Sequence, residues 1–161
     1  KNSMTIKEVL EIDFMDKNVI IIGCPASGKT WLSNKIKSEN HNVIHTDDYI
    51  KHGYEQSMYE ALKDIEISEK KTIVEGVQGY RMLRKGLELG SYFPDIVIEI
   101  IVPFQQVVAI YKLERDEDKI PKLQSMLKSN DKVLNDYKAM KNEHAPEWIT
   151  INNERNIYED V

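Results

Sequence analysis

Hydrophobic and polar residues alternate along the chain in two patterns, short apolar runs and longer amphipathic stretches. The apolar runs are rich in β-branched residues and too short for helices, so they predict strands buried on both faces. The amphipathic stretches repeat apolar residues every three or four positions, which predicts helices packed along one side. The predicted strands are residues 18–22, 43–45, 72–74, 96–102 and 148–151.

The helical patterns lie before and between these strands. Thr5 and Glu8 have the spacing of a capping box, which predicts a short helix over residues 5–12. Because strands alternate with helices, we expect parallel βαβ units in a three-layer α/β/α fold with a five-stranded parallel sheet. The other predicted helices are residues 28–38, 54–68, 80–89, 104–115 and most of 122–141.

Length and composition fit one globular domain spanning residues 1–161. The chain has no internal repeat, low-complexity tract or linker, and 41% of its residues are hydrophobic while 30% are charged. The net charge of −5 argues against broad, unspecific nucleic-acid binding. It leaves room for a small basic pocket that holds one or two phosphates.

The single cysteine and the absence of long apolar stretches indicate the cellular environment in which we expect the protein to work. Cys24 alone excludes an internal disulfide and a cysteine-rich zinc site, so we expect a reducing, cytoplasmic environment. No apolar stretch approaches the length of a membrane span, so we expect no membrane partner.

Residues 23–30 form the strongest functional motif. They match every fixed position of the phosphate-binding motif G-x-x-x-x-G-K-[ST], and they lie between a predicted strand and a predicted helix. Glycines let backbone N–H groups converge on phosphate oxygens, and the following helix adds its positive N-terminal end. We expect ATP here, with Lys29 on its β- and γ-phosphates and the Thr30 hydroxyl on Mg²⁺. A turn without a ligand is the alternative. The expected phosphate-binding residues are Gly23, Cys24, Pro25, Ala26, Ser27, Gly28, Lys29 and Thr30.

Acidic residues follow two further predicted strands. Asp47 and Asp48 follow residues 43–45, and Glu75 follows residues 72–74. The carboxyl ends of parallel strands gather at one edge of a sheet, where ligands bind. There Asp47 could accept a proton from an attacking hydroxyl, and Glu75 could orient Mg²⁺ through water or contact the acceptor. The alternative is that one of the two aspartates caps the next helix, and both roles are compatible with the pair.

Basic residues on two segments are candidates for binding phosphates. Arg81 and Arg84 share a face at the start of a predicted helix and could clamp an acceptor phosphate, although a solvated face is equally compatible. Arg115 lies in a polar segment between two predicted helices. Phosphoryl transfer commonly uses a mobile lid that carries a cation onto the β–γ bridge, and we expect Arg115 to serve there rather than the neighbouring lysines. An ordinary charged loop is the alternative.

Taken together, these motifs resemble the P-loop kinase group that includes phage-type polynucleotide 5′-hydroxyl kinases, with nucleoside and nucleotide kinases as relatives. Three segments carry the likeness. They are residues 22–31, which include the Cys-Pro pair, residues 47–49, and a lid-like stretch at 102–126. The resemblance implies a P-loop kinase fold that uses ATP and Mg²⁺. It also implies that Asp47 is the general base and that Arg115 touches the transferred phosphate, which leaves Asp48 for capping or for the acceptor.

The chain also departs from the polynucleotide kinases. Ile50 stands where those enzymes place an arginine against the acceptor's phosphate, and residues 74–76 look more like the uridine kinase and pantothenate kinase groups. Asn152 and Asn153 resemble the adenine-contacting turn of several small-molecule kinases, which implies that they border ATP. The acceptor stays open among a 5′-hydroxyl end of DNA or RNA, a hydroxyl on a modified base, a nucleoside or nucleotide, and another small molecule. A phage-encoded enzyme would work in the host cytoplasm.

Two other classes of function compete with a kinase. A switch or motor that hydrolyses ATP without an acceptor normally needs switch segments or subunit-facing arginines on a longer chain, and the guanine-binding Asn-Lys-x-Asp motif is absent. A non-catalytic nucleotide-binding module is the second rival, and the presence of Lys29, Thr30 and Asp47 together argues against it. The sequence therefore predicts an ATP-dependent phosphotransferase.

Overall fold

A computed structural model of the chain describes residues 2–153 and contains a six-stranded, all-parallel sheet. The strands lie in the order β1-β6-β5-β2-β4-β3. β2 occupies the interior of the sheet, and its sequence Val-Ile-Ile-Ile-Gly is buried throughout, as expected for a strand covered on both faces. The strands are β1 Asn2–Met4, β2 Val19–Gly23, β3 His41–His45, β4 Lys71–Glu75, β5 Ile96–Ile101 and β6 Glu147–Asn152.

Helices connect the strands, and several begin or end where turn chemistry predicts. The capping box at Thr5 is confirmed, since the Glu8 N–H donates to Thr5 Oγ1 (3.2 Å) and the Thr5 N–H donates to Glu8 Oε1 (3.1 Å). Short 3-10 segments occupy Thr46–His52 and Glu117–Lys119. The helices are α1 Ile6–Leu10, α2 Lys29–Ile36, α3 Tyr54–Ile67, α4 Gly79–Leu89, α5 Phe104–Glu114 and α6 Ile120–Ala139.

Two apolar clusters cover the two faces of the sheet. Successive residues of a strand point to opposite faces, so Ile20 and Ile22 pack against α3, α4 and α6, whereas Val19 and Ile21 pack against α1 and α2. This arrangement confirms the three-layer α/β/α architecture. Within the described residues, no helix has the length and apolar composition needed to cross a bilayer.

The prediction of five strands is wrong, because β1 adds a sixth at the edge of the sheet. β1 pairs with β6, where Ser3 aligns with Thr150 and Met4 with Ile151. A three-residue strand of sequence Asn-Ser-Met has no apolar pattern of its own. Its extended conformation depends on backbone pairing with β6, a partner almost 150 residues away, and local sequence patterns do not reveal such pairing.

The strand order places the ends of several loops at one edge of the sheet. β4 and β3 lie on one side of β2, and β5, β6 and β1 lie on the other. Parallel sheets whose order changes direction in this way open a crevice at the carboxyl ends of the strands beside the change. Here that crevice receives the loop after β2 and the segments that follow β3 and β4.

Candidate functional site

A pocket at this edge brings together residues from separate stretches of the chain. Loop 23–30, defined as the segment that contains the phosphate-binding motif, contributes residues 25–30. Asp47 comes from the 3-10 segment after β3, residues 75–77 come from the end of β4, and Arg115 comes from the end of α5. The sequence predicted site roles for Lys29, Thr30, Asp47, Glu75 and Arg115, and all five line this one pocket.

Loop 23–30 turns tightly before α2. Gly28 is at a φ of 98°, in the left-handed region that glycine adopts without steric cost, and Ala26 is also left-handed at a φ of 63°. The Ser27 hydroxyl oxygen is buried and has no hydrogen-bond partner among residues 2–153. Buried polar atoms are nearly always paired, so an unpaired hydroxyl within a concave loop fits a place where a polar ligand binds.

The Lys29 ammonium lies inside the loop and not in solvent. Its Nζ donates to the carbonyl oxygens of Gly23 (2.9 Å) and Cys24 (2.8 Å), and the residue is buried. Burial lowers the pKa of Lys29 overall, and the neighbouring Cys24, Glu75 and Asp47 offset only part of that shift. Its two hydrogen bonds to backbone carbonyls hold the amine inside the concave loop, where the oxygens of an anionic ligand could replace them.

A chain of hydrogen bonds joins the loop to the ends of β3 and β4. Thr30 Oγ1 donates to Glu75 Oε2 (3.1 Å), and His45 Nδ1 lies 2.5 Å from the same oxygen. The Glu75 side chain is buried, so both contacts hold it in one place. His45 was missed by sequence reasoning. The signal was available, since His45 ends β3 and aligns with Glu75 in the β3–β4 pair, but it required knowing that these strands are neighbours.

Gly76 allows the segments after β3 and β4 to touch. Its φ is 130°, and a Cβ built on it would lie 1.9 Å from Thr46 Oγ1. The same hydroxyl accepts a hydrogen bond from the Gln78 N–H (3.4 Å). Thr46 is therefore held against the end of β4, and Asp47, the next residue, is placed in the pocket.

The two neighbouring aspartates differ in position. Both side chains are exposed, but Asp47 lines the pocket and Asp48 does not. The expectation that one of them caps the next helix is wrong, because α3 begins after Gly53 and has no side-chain cap. A 3-10 segment, Thr46–His52, separates the aspartates from that helix.

Arg115 reaches the pocket from the end of α5. Its guanidinium lies over the Tyr111 ring, with 5.7 Å between Cζ and the ring centroid. Tyr111 packs with Cys24, Val107 and Leu123, so this cluster joins α5 and α6 to loop 23–30. Burial raises the pKa of the Cys24 thiol, which therefore packs as a neutral, apolar group.

The two arginines proposed for the acceptor lie outside the pocket lining. Arg84 pairs with Asp136 of α6 (2.8 Å), and this partner occupies its guanidinium. Arg81 is exposed, and its Cζ lies 4.7 Å from the centroid of the Tyr54 ring.

The two asparagines proposed for adenine also separate. Asn153 is buried, its side-chain Nδ2 donates to the Ser27 carbonyl (3.5 Å), and its backbone N–H donates to the Ile101 carbonyl (2.8 Å). Asn152 is exposed and donates to Ser3 Oγ (3.4 Å), away from loop 23–30. Of the pair, only Asn153 touches the loop.

The protein groups available to a metal ion are few. Among the described residues, no set of three His, Cys, Asp or Glu side chains is arranged to hold a metal ion. Thr30 is an exposed residue, and its hydroxyl donates to Glu75. Mg²⁺ commonly takes one or two protein ligands and completes its shell with water and substrate phosphates, so this donor set fits a magnesium ion that arrives with a nucleotide.

Comparison with models of known protein families gives no match, and comparison with curated proteins gives none either.

Proposed function

We propose that this protein is an ATP-dependent P-loop kinase that transfers the γ-phosphate of ATP to a hydroxyl of a nucleic-acid or nucleotide-like acceptor. The observation that supports the proposal best is that the phosphate-binding motif shares one pocket with an acid, Asp47, and a cation, Arg115. A loop that only binds nucleotide does not need an acid facing the phosphates or a cation from a separate helix. Phosphoryl transfer uses both.

In this proposal loop 23–30 holds the phosphates of ATP. Its backbone N–H groups and the N-terminal end of α2 favour the negative charge, and Lys29 exchanges its contacts with the Gly23 and Cys24 carbonyls for phosphate oxygens. The Ser27 hydroxyl gains a partner in the same step. Asn153 contacts the Ser27 carbonyl, and by the resemblance to small-molecule kinases it would border the adenine on the β5–β6 side of the loop.

Asp47 acts on the acceptor. It takes the proton of the attacking hydroxyl as the acceptor oxygen bonds to the γ-phosphorus, while the bond from that phosphorus to the bridging oxygen breaks and ADP leaves. Negative charge spreads over the transferred group during this step. Arg115 stabilises that charge from the α5 side, and Lys29 does so from the loop.

Thr30 and Glu75 are the residues that would hold Mg²⁺. The hydroxyl of Thr30 would be a direct ligand, and Glu75, fixed by His45, would act on the metal through water. Bound with the nucleotide, the ion neutralises charge on the β- and γ-phosphates. Glu75 and His45 act here by keeping the Thr30 hydroxyl in position.

The experiment that tests the proposal follows labelled γ-phosphate from ATP. The panel contains nucleosides, nucleotides, 5′-hydroxyl oligonucleotides and hydroxymethylated DNA, incubated with the wild type, Lys29→Ala and Lys63→Ala. We expect label in at least one acceptor, loss of transfer in Lys29→Ala, and no loss in Lys63→Ala, which removes an exposed lysine of α3. Near wild-type transfer by Lys29→Ala would remove the catalytic role of the loop.

A further inference from the structure

In the proposed function the pocket has a nucleotide side and an acceptor side, and the segments that follow β3 and β4 lie on the acceptor side. If ATP occupies loop 23–30 with its base toward β5 and β6, the acceptor approaches from the side of β4 and β3. Asp47, Gly76 and Val77 line the pocket on that side. The 3-10 segment leads from Asp47 to the start of α3, and α4 begins two residues after Val77, so we expect the surface beyond these residues to include the first turns of both helices.

Gln78 fixes these first turns to one another. It follows the pocket-lining Val77, and its buried side chain donates from Nε2 to the Tyr54 carbonyl (2.8 Å) and to Ser57 Oγ (3.2 Å). Its backbone N–H donates to Thr46, the residue before Asp47. The start of α3 and the start of α4 are therefore held at a set place relative to Asp47.

Tyr54 and Arg81 lie on the exposed side of this connection. The guanidinium of Arg81 stacks over the Tyr54 ring at 4.7 Å, and 50% of the Tyr54 surface is exposed. No carboxylate among residues 2–153 forms an ion pair with Arg81, whereas Arg84 and Lys85 on the same helix pair with Asp136 and Glu88. The ring orients the Arg81 cation without neutralising its charge.

We propose that Tyr54 and Arg81 bind the acceptor, and that this acceptor carries a phosphate separate from the hydroxyl that is phosphorylated. The inference rests on the proposed function, because it takes Asp47 as the place of the reacting hydroxyl. Ile50, exposed on the same 3-10 segment as Asp47, offers no charge to such a phosphate. An acceptor extended from Asp47 along this surface meets Arg81 with a part remote from the reaction. Arginine binds phosphate through two parallel N–H bonds, and its plane also stacks on nucleobases.

The test measures binding directly. Wild-type protein is titrated by calorimetry with a purine and a pyrimidine nucleoside, with their 3′- and 5′-monophosphates, and with a 5′-hydroxyl dinucleotide, which separates free nucleotides from strand ends. ADP is present to fill the donor side. We expect at least one phosphate-bearing ligand to bind about tenfold to a hundredfold tighter than its neutral nucleoside, the range of a charged hydrogen bond.

Variants assign that preference to the pair. Arg81→Gln should abolish it while leaving ADP affinity unchanged. Tyr54→Phe, which keeps the ring, should retain it, and Tyr54→Ala should lose most of it. The matched control is Lys63→Gln, which removes an exposed cation of α3 beyond its first turns and should have no effect.

The outcomes also separate this inference from the proposed function. The inference is overturned if the wild type shows no preference for phosphate, if Arg81→Gln keeps the preference, or if Lys63→Gln loses it equally. If these ligands bind as expected but no acceptor is ever labelled from ATP, the binding site stands and the kinase proposal fails. If label is transferred but Arg81→Gln changes neither binding nor KM, the kinase proposal stands alone.

Discussion

Glu75 shows how single atoms organise this site. One of its carboxylate oxygens accepts a hydrogen bond from Thr30 Oγ1 and also contacts His45 Nδ1. Loop 23–30, the end of β3 and the end of β4 therefore meet at a single buried acid. A buried carboxylate needs such partners, because an unpaired charge away from water is costly. The pairing fixes Thr30, whose hydroxyl is the expected magnesium ligand.

Asp47 is the residue on which the chemistry of the proposal depends most. General-base catalysis contributes about a hundredfold to ten-thousandfold in rate. We therefore expect Asp47→Asn to lose turnover by roughly that factor, while ATP affinity changes little because loop 23–30 supplies most of it. Steady-state turnover and ATP binding by calorimetry measure the two effects.

Asp48→Asn is the matched control, since the same change is made one residue away, outside the pocket. It should leave turnover within about threefold of the wild type, as surface substitutions away from a site usually do little. A loss of turnover in Asp48→Asn but not in Asp47→Asn would assign the general base to Asp48 instead. Weaker ATP binding in Asp47→Asn would instead make Asp47 part of the nucleotide or metal site.

The sequence could supply most residues of the pocket, because their motifs are local. Residues 23–30 are recognised by spacing alone, and Asp47 and Glu75 by their place after apolar runs. His45 and Arg84 could not be placed in this way. The role of His45 depends on the β3–β4 pairing, and Arg84 is occupied by Asp136, 52 positions away.

At the scale of elements, the contact between the end of β4 and the start of the 3-10 segment is the tightest constraint. Gly76→Ala would combine an unfavourable φ with a clash against Thr46. Backbone strain and overpacking each cost about 1–3 kcal/mol, so we expect the free energy of unfolding to fall by roughly 2–6 kcal/mol. Urea denaturation with an unchanged m-value measures this loss.

Gly90→Ala separates the two contributions. Gly90 also has a positive φ, but a Cβ built on it meets nothing within 4 Å. Gly90→Ala should lower the free energy of unfolding by only about 1–2 kcal/mol, the cost of the left-handed backbone alone. Equal losses in both variants would mean that Thr46 moves aside easily, and the contact would then not be what positions Asp47.

The helices and longer strands follow from pattern, whereas β1 does not. α3 buries Met58, Ala61 and Leu62 as its spacing predicts. β1 is three residues long and owes its conformation to β6. Elements that carry their own apolar stripe are readable from sequence, and elements stabilised by a distant partner are not.

At the scale of the whole molecule, the strand order places the proposed nucleotide and acceptor residues on opposite sides of β2. β2 carries loop 23–30 at the centre, Asn153 follows β6 on one side, and Asp47 and residues 75–77 follow β3 and β4 on the other. The cluster around Tyr111 connects α5 and α6 to the same loop. In the proposed function, ATP and acceptor would enter from opposite sides and meet between Lys29, Asp47 and Arg115.

The central claim is transfer to an acceptor, as opposed to hydrolysis, and the most direct measurement compares ADP with phosphorylated acceptor in one reaction. With the acceptor that takes up label, the account predicts one phosphorylated acceptor for each ADP. Without acceptor, ADP formation should fall at least a hundredfold, because water lacks the contacts that position a hydroxyl at Asp47. ADP and free phosphate appearing at the same rate with and without acceptor would contradict the account and identify an ATPase.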